Sequence, residues 1–408
     1  MKVACVGGGP AALYFSILLK RHASSHDITV YERNPAGATY GWGVTYWPDM
    51  LEKLHHHDPE SALAIRENSV RWRDGVAHVG GATTVHHGDE GFAIGRHRLL
   101  DLLAARAESL GVRIEYGQEI AGRDQVRDSD LVVAADGAGS RLREADTQHF
   151  GTHTAMGRNP YLWLGTTKVF TSFTFAFVET AHGWIWCYAY GFSEEQSTCV
   201  VECSLETWSG LGLGEMNQDD ALRQLEKLFA ELLDGHPLIG RTDVAGRALW
   251  QTFRTLTNET WSHGNLVLLG DAAHTTHYSI GAGTTLAMQD AMTLARVLHE
   301  TSELRPALVQ YEAERKAALL SVQSAARHSA QWYENLTRYI GLAPPRMFAL
   351  LGQRHSPLLP YVPPQLYYRI DQAANQLTAL RGLKQWLGPR LARAVQRRSR
   401  TGTRPPTG

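Results

Sequence analysis

The chain opens on a short apolar run, residues 3–6, that stops at Gly7. Residues 13–22 follow with apolar positions at helical spacing, and a second apolar run, 28–31, ends on Glu32. Strand, glycine-rich turn, helix and strand in that order predict a βαβ unit at the N-terminus. Further on, 96–110 predicts a helix with Leu99, Leu100, Leu103 and Ala104 on one face. Residues 112–116 and 130–135 predict strands. Residues 36–90 are rich in Gly, Trp and His but carry little periodicity, so they read as irregular. From 161 to 204 the pattern turns β-rich, with stretches at 161–177, 184–190 and 198–204 that suggest a separate, largely antiparallel sheet. A helix is predicted over 219–233, a buried strand over 266–270, and helices over 284–298 and on to about 351.

Composition limits the partners. The 408 residues are 43% hydrophobic and 20% charged, and the net charge of −1 gives no general attraction to nucleic acid or to anionic membranes. One local exception is 381–408, with eight Lys or Arg and no acid, read as a solvated helix face and a disordered tail. No apolar run approaches the roughly 20 residues that span a bilayer, and Met1 leads directly into a strand, so no signal peptide is expected. The four cysteines lack metal spacing, and Cys5 and Cys199 sit in apolar strand patterns. Buried thiols in a reduced, cytoplasmic protein are the expectation, with no metal.

The first motif is Gly7-Gly8-Gly9-Pro10-Ala11-Ala12, a G-x-G-x-x-A turn between strand and helix. Gly7 permits the tight turn, Gly9 lets a pyrophosphate reach the backbone, and Ala12 lets the helix pack against the sheet. Glu32, followed by Arg33, ends the next strand 20 residues after Ala12, where a carboxylate accepts from a ribose. The turn alone does not separate NAD from FAD. Residues 264–274, GNLVLLGDAAH, do: a buried strand delivers Asp271 to the carboxyl edge of a sheet, where it can accept from a ribityl chain that NAD lacks. Gly281-Ala282-Gly283 then leads into a helix starting near Thr284, whose bare amides suit the anion on a reduced flavin. A third segment, 135–143, carries Asp136-Gly137 after a strand, and Arg96 opens an R-x-x-L-x-x-x-L helix upstream.

Along the chain the four motifs run G-x-G-x-x-A, R-x-x-L, the Asp136-Gly137 segment and G-D-A-A-H, and in that order they resemble the single-component flavin aromatic hydroxylases typified by para-hydroxybenzoate hydroxylase. The resemblance implies an α/β chain, α+β overall: a Rossmann-type FAD domain with an inserted β-sheet substrate domain and C-terminal helices. Residues 1–155 and 255–300 would bind FAD, 156–254 the substrate, and 301–408 would form a helical region with a basic tail. It places Asp136 and Arg96 beside the flavin and Asp271 on the ribityl chain, with Gly43 in the cofactor set. It departs at Tyr278, where the family often has proline, and at Thr284, where it often has asparagine. Residues 270–287 and 157–177 are similar to bacterial salicylyl-CoA 5-hydroxylases and anthraniloyl-CoA monooxygenases. Gly41–Val44, 157–159 and 201–204 are similar to the violacein-pathway tryptophan hydroxylase.

What the resemblance implies is a monomer or homodimer that uses NADH or NADPH and O2, through a flavin C4a-hydroperoxide, to hydroxylate an aromatic acyl-CoA. Salicylyl-CoA at carbon 5, giving gentisyl-CoA, is the leading substrate. A free aromatic such as a tryptophan derivative is the alternative, and a flavin halogenase or a non-catalytic flavoprotein are remote ones. Arg158 and Lys168 are the candidate phosphate contacts for CoA. A base would help ionise a phenol, and His277 and Tyr278 are the candidate catalytic contacts, with His274 as part of the flavin motif. Trp184 and Trp186 fall on one face of a strand and lack the Ile-Pro of halogenases. His55-His56-His57-Asp58 reads as a surface loop, and the aromatic run from Tyr161 to Phe177 mostly as core.

Overall fold

The structure, a computed structural model, describes residues 1–38, 41–243 and 245–376; the basic segment 381–408 lies outside them. Its strands are β1 (Lys2–Val6), β2 (Asp27–Glu32), β3 (Gly43–Tyr46), β4 (Val70–Val79), β5 (Ala82–Gly95), β6 (Arg113–Tyr116), β7 (Leu131–Ala134), β8 (His153–Thr166), β9 (Phe173–Thr180), β10 (Gly183–Gly191), β11 (Ser197–Cys203), β12 (Leu238–Ile239), β13 (Gln251–Thr257), β14 (Ser262–His263) and β15 (Leu266–Leu268). By internal packing the described residues divide into two compact units: 1–275 with 281–314, and 276–280 with those from 315 onward.

The larger unit holds both sheets. One has six strands in the order β14-β15-β7-β1-β2-β6, all parallel except the β14–β15 pair. Its strands are short apolar runs, and Cys5, Ile28, Val30, Val133 and Leu268 have no exposed surface, as expected of a parallel sheet covered on both faces. The chain builds outward from β1 through β2 to β6, then returns to the other side with β7 and β15. The strand order therefore reverses between β1 and β7. In such sheets ligands bind beyond the carboxyl ends at that point.

The second sheet follows the order β12-β8-β11-β10-β9-β4-β5-β3, with β13 also paired to β8; every pairing is antiparallel except β4 with β9. Alternation sorts its two faces. Ile185, Cys187 and Ala189 of β10 join Cys199 and Val201 of β11 in a core under Leu222 and Leu225 of the helix Gln218–Leu228. The other face is aromatic: Phe173 lies 5.4 Å from Tyr190, 5.8 Å from Tyr188 and 5.6 Å from Trp72, ring centre to ring centre.

Several local expectations need correction. Residues 36–90 are not irregular: they contain β3, the helices Pro48–His57 and Pro59–Glu67, and the β4–β5 hairpin. A register shift between Trp72 and Asp74 breaks the two-residue alternation that would reveal the hairpin. His55–His57 end a helix, and Asp58 is fully buried rather than on a surface loop. It caps the next helix through Ser61 and pairs with Arg21 at 2.9 Å and Arg106 at 3.1 Å. The β-rich stretch 161–177 breaks after Thr166, and the helix over 219–233 is two, Gln218–Leu228 and Ala230–Leu233. Cys5, Cys187, Cys199 and Cys203 are free and buried.

In the smaller unit, Trp332 stacks on Tyr339 with ring centres 5.0 Å apart, and Met347, Leu350, Leu351 and Leu359 are buried. Among the described residues no helix is long and apolar enough to cross a membrane.

Candidate active site

Loops from β1, β2 and β7 meet where the strand order reverses. Gly7, at φ +103°, is in the left-handed region, and a Cβ there would lie 2.4 Å from the Ala135 carbonyl oxygen, so only glycine lets the turn lie on the end of β7. The Gly8 N–H donates to Glu32 Oε2 at 2.6 Å, and Glu32 Oε1 accepts from the backbone N–H and Nδ2 of Asn34 at 2.9 and 2.6 Å. Glu32 thus fixes the glycine turn from the neighbouring strand. A Cβ on Gly9 would meet no protein atom within 4 Å, and Pro10 follows as the first residue of the helix Pro10–His22. Ala11 and Ala12 are buried, and Ala11 is 3.1 Å from where a Cβ on Gly270 would stand. Their small size serves close packing. A cleft of about 330 Å³ opens here, and its lining brings together Gly7, Gly9, Glu32, Arg33, Arg96 and Asp136.

Asp136 accepts from the Arg141 N–H at 2.9 Å through Oδ2, while its buried Oδ1 has no hydrogen-bond partner. Burial raises its pKa, opposed by bonds from Ser140, from its own backbone and from Arg141. Burial lowers the Arg96 pKa, opposed by the charges of Asp271 and Glu32. Asp271 is open to solvent by surface area, yet the protein around it raises its pKa by desolvation, against the charges of His274 and Arg96. Gly281 has φ +63°, and a Cβ there would fall 2.6 Å from Thr45 Oγ1 and 2.9 Å from the Trp47 ring. Ala282 and Gly283 open the 18-residue helix Gly283–Glu300, whose first turn carries Thr284 and Thr285. Thr285 Oγ1 is buried without a partner, and both threonines line a small cavity with Val44, Thr45, Tyr46 and Met50.

These features fit FAD. A bare glycine turn begins a helix at a cleft that Glu32, Arg96 and Asp136 line, and polar atoms of Asp136 and Thr285 are left unpaired. Gly43, by contrast, is a packing position of the second sheet. Its N–H donates to Thr198 Oγ1 at 2.8 Å, its carbonyl accepts from Tyr190 at 2.8 Å, and a Cβ would fall 2.6 Å from Phe192.

Sequence reasoning missed the residues that tie the segments together. Arg143, 2% exposed, donates to the carbonyls of Ala138 at 2.7 Å and Ala272 at 3.1 Å, joining the Asp136 loop to the Asp271 loop. Arg254 also donates to Ala138, at 2.7 Å. His274 bonds through Nε2 to the buried Asp290 at 2.8 Å and stacks on Trp261, so its place is structural.

The substrate candidates separate. Arg158 is exposed near the start of β8, whereas Lys168 follows its end and pairs with Asp234 at 3.0 Å. The eight strand steps from Arg158 to Thr166 alone span roughly 26 Å, so the two cations do not form one patch. His277 and Tyr278 belong to the smaller unit, with ring centres 4.3 Å apart, and burial lowers the His277 pKa to about 4. The sequence showed no metal-ligand set, yet Asp146, His149 and His263 bring three ligand-type atoms within 4.8 Å of one another. Their groups are already engaged: His263 bonds Asp146, and His149 bonds the Ser262 carbonyl at 3.1 Å.

A family model described as an FAD binding domain matches residues 1–326. The chain is 36% identical over 349 residues to a salicyloyl-CoA 5-hydroxylase of a Streptomyces species, covering 83% of this chain and 66% of that protein. It is 35% identical over 336 residues to a 3-hydroxy-4-methyl-anthranilyl-[aryl-carrier protein] 5-monooxygenase of Streptosporangium sibiricum, covering 82% and 90%. Among solved structures, a 2-methyl-3-hydroxypyridine-5-carboxylic acid oxygenase superposes with a TM-score of 0.67 at 19% identity, covering 83% of this chain and 93% of that one. At that identity it speaks for the fold alone.

Proposed function

The chain belongs to the FAD binding domain family of flavin-dependent aromatic monooxygenases, and on that premise we propose that it hydroxylates the ring of an aromatic acyl thioester, with salicylyl-CoA at carbon 5 as the leading case. NADH or NADPH supplies electrons and O2 the oxygen atom. The observation that carries the substrate class is that the two relatives described above are named for an aromatic acyl group on CoA and on an aryl-carrier protein. When bound, FAD supplies the redox chemistry and the activated oxygen.

The protein's own part is binding and placement. The amides at Gly9 and the N-terminus of the helix Pro10–His22 take the pyrophosphate. Glu32 takes the ribose and Asp271 the ribityl chain, with Arg96 balancing the two acids. Asp136 sits beside the flavin with Oδ1 available to it. The amides opening the helix Gly283–Glu300 face the flavin edge where negative charge gathers. We assign substrate binding to the aromatic face of the second sheet, around Phe173, Tyr188 and Tyr190. In a salicylyl thioester the ring hydroxyl is para to carbon 5 and enriches it in electrons.

The test is coupled turnover, with reduced nicotinamide consumed and hydroxylated product formed, on salicylyl-CoA and on salicylate at equal concentration. The thioester should be strongly preferred. Equal efficiency on the free acid would remove the thioester from this reading and leave a general aromatic hydroxylase.

A further inference from the structure

In the smaller unit the exposed large apolar side chains, among the described residues, all lie between 358 and 370. Leu358, Tyr361, Leu366 and Ile370 are 48%, 75%, 50% and 56% exposed. Tyr361 stands on a braced turn. Its N–H donates to the Leu358 carbonyl at 3.0 Å. Arg338 donates to the carbonyls on either side of it, from Nη1 to Pro360 and from Nη2 to Val362, the latter at 2.7 Å. The neighbouring Leu359 is buried, which anchors the turn from below. The helix Pro364–Gln376 follows. Tyr367 and Asp371, four residues apart, face inward and are buried. At about 100° per residue, Leu366, Ile370 and Ala373 fall on one adjoining stripe. All three are exposed, and so is Arg369 beside them. A fixed tyrosine and an apolar helical stripe held in water mark a surface that another surface covers.

Charge decides what covers it. From 358 to 373 the sequence has one acid, Asp371, and it is buried. The whole chain carries 40 Lys or Arg against 41 Asp or Glu, yet 381–408 holds eight of those cations and none of the acids. Arg381 is five residues from Gln376, at most about 17 Å along the chain. A second copy docked through this face would bring two such basic segments to one interface, where they repel. An anionic lipid surface attracts them instead. It also takes up exposed aliphatic side chains, and tyrosine suits its headgroup layer. We propose that the smaller unit docks peripherally on anionic membrane surfaces through Tyr361, Leu366 and Ile370, with the cations of 381–408 supplying the attraction to lipid phosphate. Nothing crosses the bilayer in this arrangement, in keeping with the described helices, none of which is long and apolar enough to do so. The inference is independent of the substrate proposed above.

Co-sedimentation of the flavin-loaded full chain with lipid vesicles tests it. Vesicles of phosphatidylglycerol mixed equally with phosphatidylcholine should retain the protein, and vesicles of phosphatidylcholine alone should not. Retention should fall as salt rises, because attraction to phosphate is screened over about 10 Å at 0.1 M. The combined variant Tyr361→Ser, Leu366→Gln, Ile370→Gln changes exposed positions only. It should keep the parent's flavin content and melting temperature and lose at least about tenfold in partition coefficient, the effect of one large apolar side chain that no longer leaves water. Arg397→Gln with Arg398→Gln and Arg400→Gln should lose roughly fivefold for each cation removed. Full retention of the apolar variant on phosphatidylglycerol would mean that charge acts alone, and overturns the docking face. Equal retention of the parent on both kinds of vesicle, no retention on either, or unchanged retention of the arginine variant overturns the anionic surface. A parent dimer in sedimentation that the apolar variant abolishes, without lipid binding, would make the face an interface between copies and end the proposal.

Discussion

Asp271 and Asp136 are acids whose pKa is raised by desolvation from the surrounding protein, Asp271 despite its solvent-open surface. Burial disfavours the charged form of an acid, so each subtracts stability as pH rises from its unfolded pKa through the raised folded value. Removing such a charge should stabilise the protein that loses it. Asp271→Asn is therefore expected to raise the melting temperature of the apoprotein near neutral pH, with the gain disappearing in acid where the carboxyl is protonated in both states. The same change should weaken FAD, because losing a charged acceptor costs about 1.5–3 kcal/mol, roughly 10- to 150-fold in Kd. Calorimetry across pH and a flavin fluorescence titration check the two halves; FAD affinity and reduction both left unchanged would sink the ribityl role. Gly9 gives a sharper contrast. Since a Cβ there meets no protein atom within 4 Å, Gly9→Glu should fold normally yet purify colourless, with its carboxylate where the pyrophosphate belongs. Full flavin occupancy in that variant would reject the cradle. Gly7, Gly9, Glu32 and Asp136 were legible in the sequence because each answers a local backbone demand within a few residues of a strand end. Asp290 was not, because its partner His274 is 16 residues away and the pair forms only once a helix docks.

The same limit governs the elements. The βαβ unit and the strand before Asp271 could be read because an apolar run between glycines admits one interpretation. The β4–β5 hairpin could not: its register shift beside Trp72 puts side chains out of phase, and polar His and Arg residues decorate the exposed face. The short helices Pro48–His57 and Pro59–Glu67 present too few turns for a period to show, though the proline opening each was a readable start signal. The loop into the helix Gly283–Glu300 offers a test at this scale. Gly281 combines φ +63° with a Cβ position 2.6 Å from Thr45 Oγ1, whereas Gly283 is helical with open space around it. Gly281→Ala should lower the melting temperature, since the left-handed backbone alone costs a side chain roughly 1–2 kcal/mol. Gly283→Ala should leave the apoprotein at least as stable as the parent. Equal melting temperatures for the two variants would mean the loop is not held against Thr45 and Trp47.

At the scale of the whole molecule, a net charge of −1 supplies no long-range pull on an anionic substrate. If CoA is recognised through its phosphates, the attraction is local, and it should be screened over about 10 Å at 0.1 M salt. Arg158 and Lys168 stand too far apart to share one phosphate group, and Lys168 is already paired with Asp234. The two cations should therefore be tested one at a time. Arg158→Ala is expected to raise KM for the CoA thioester by several-fold while leaving kcat nearly unchanged, because a contact remote from the ring binds ground state and transition state alike. Lys168→Ala, which also releases Asp234, is to be read by the same split of KM against kcat. The control is a thioester cut back to pantetheine, which keeps the reacting ring and carbonyl but has no phosphate. Its KM should respond neither to Arg158→Ala nor to added salt. If both thioesters respond alike, Arg158 does not recognise phosphate. A carrier-protein thioester turned over faster than either would keep the thioester chemistry and move its recognition from free CoA to a protein partner.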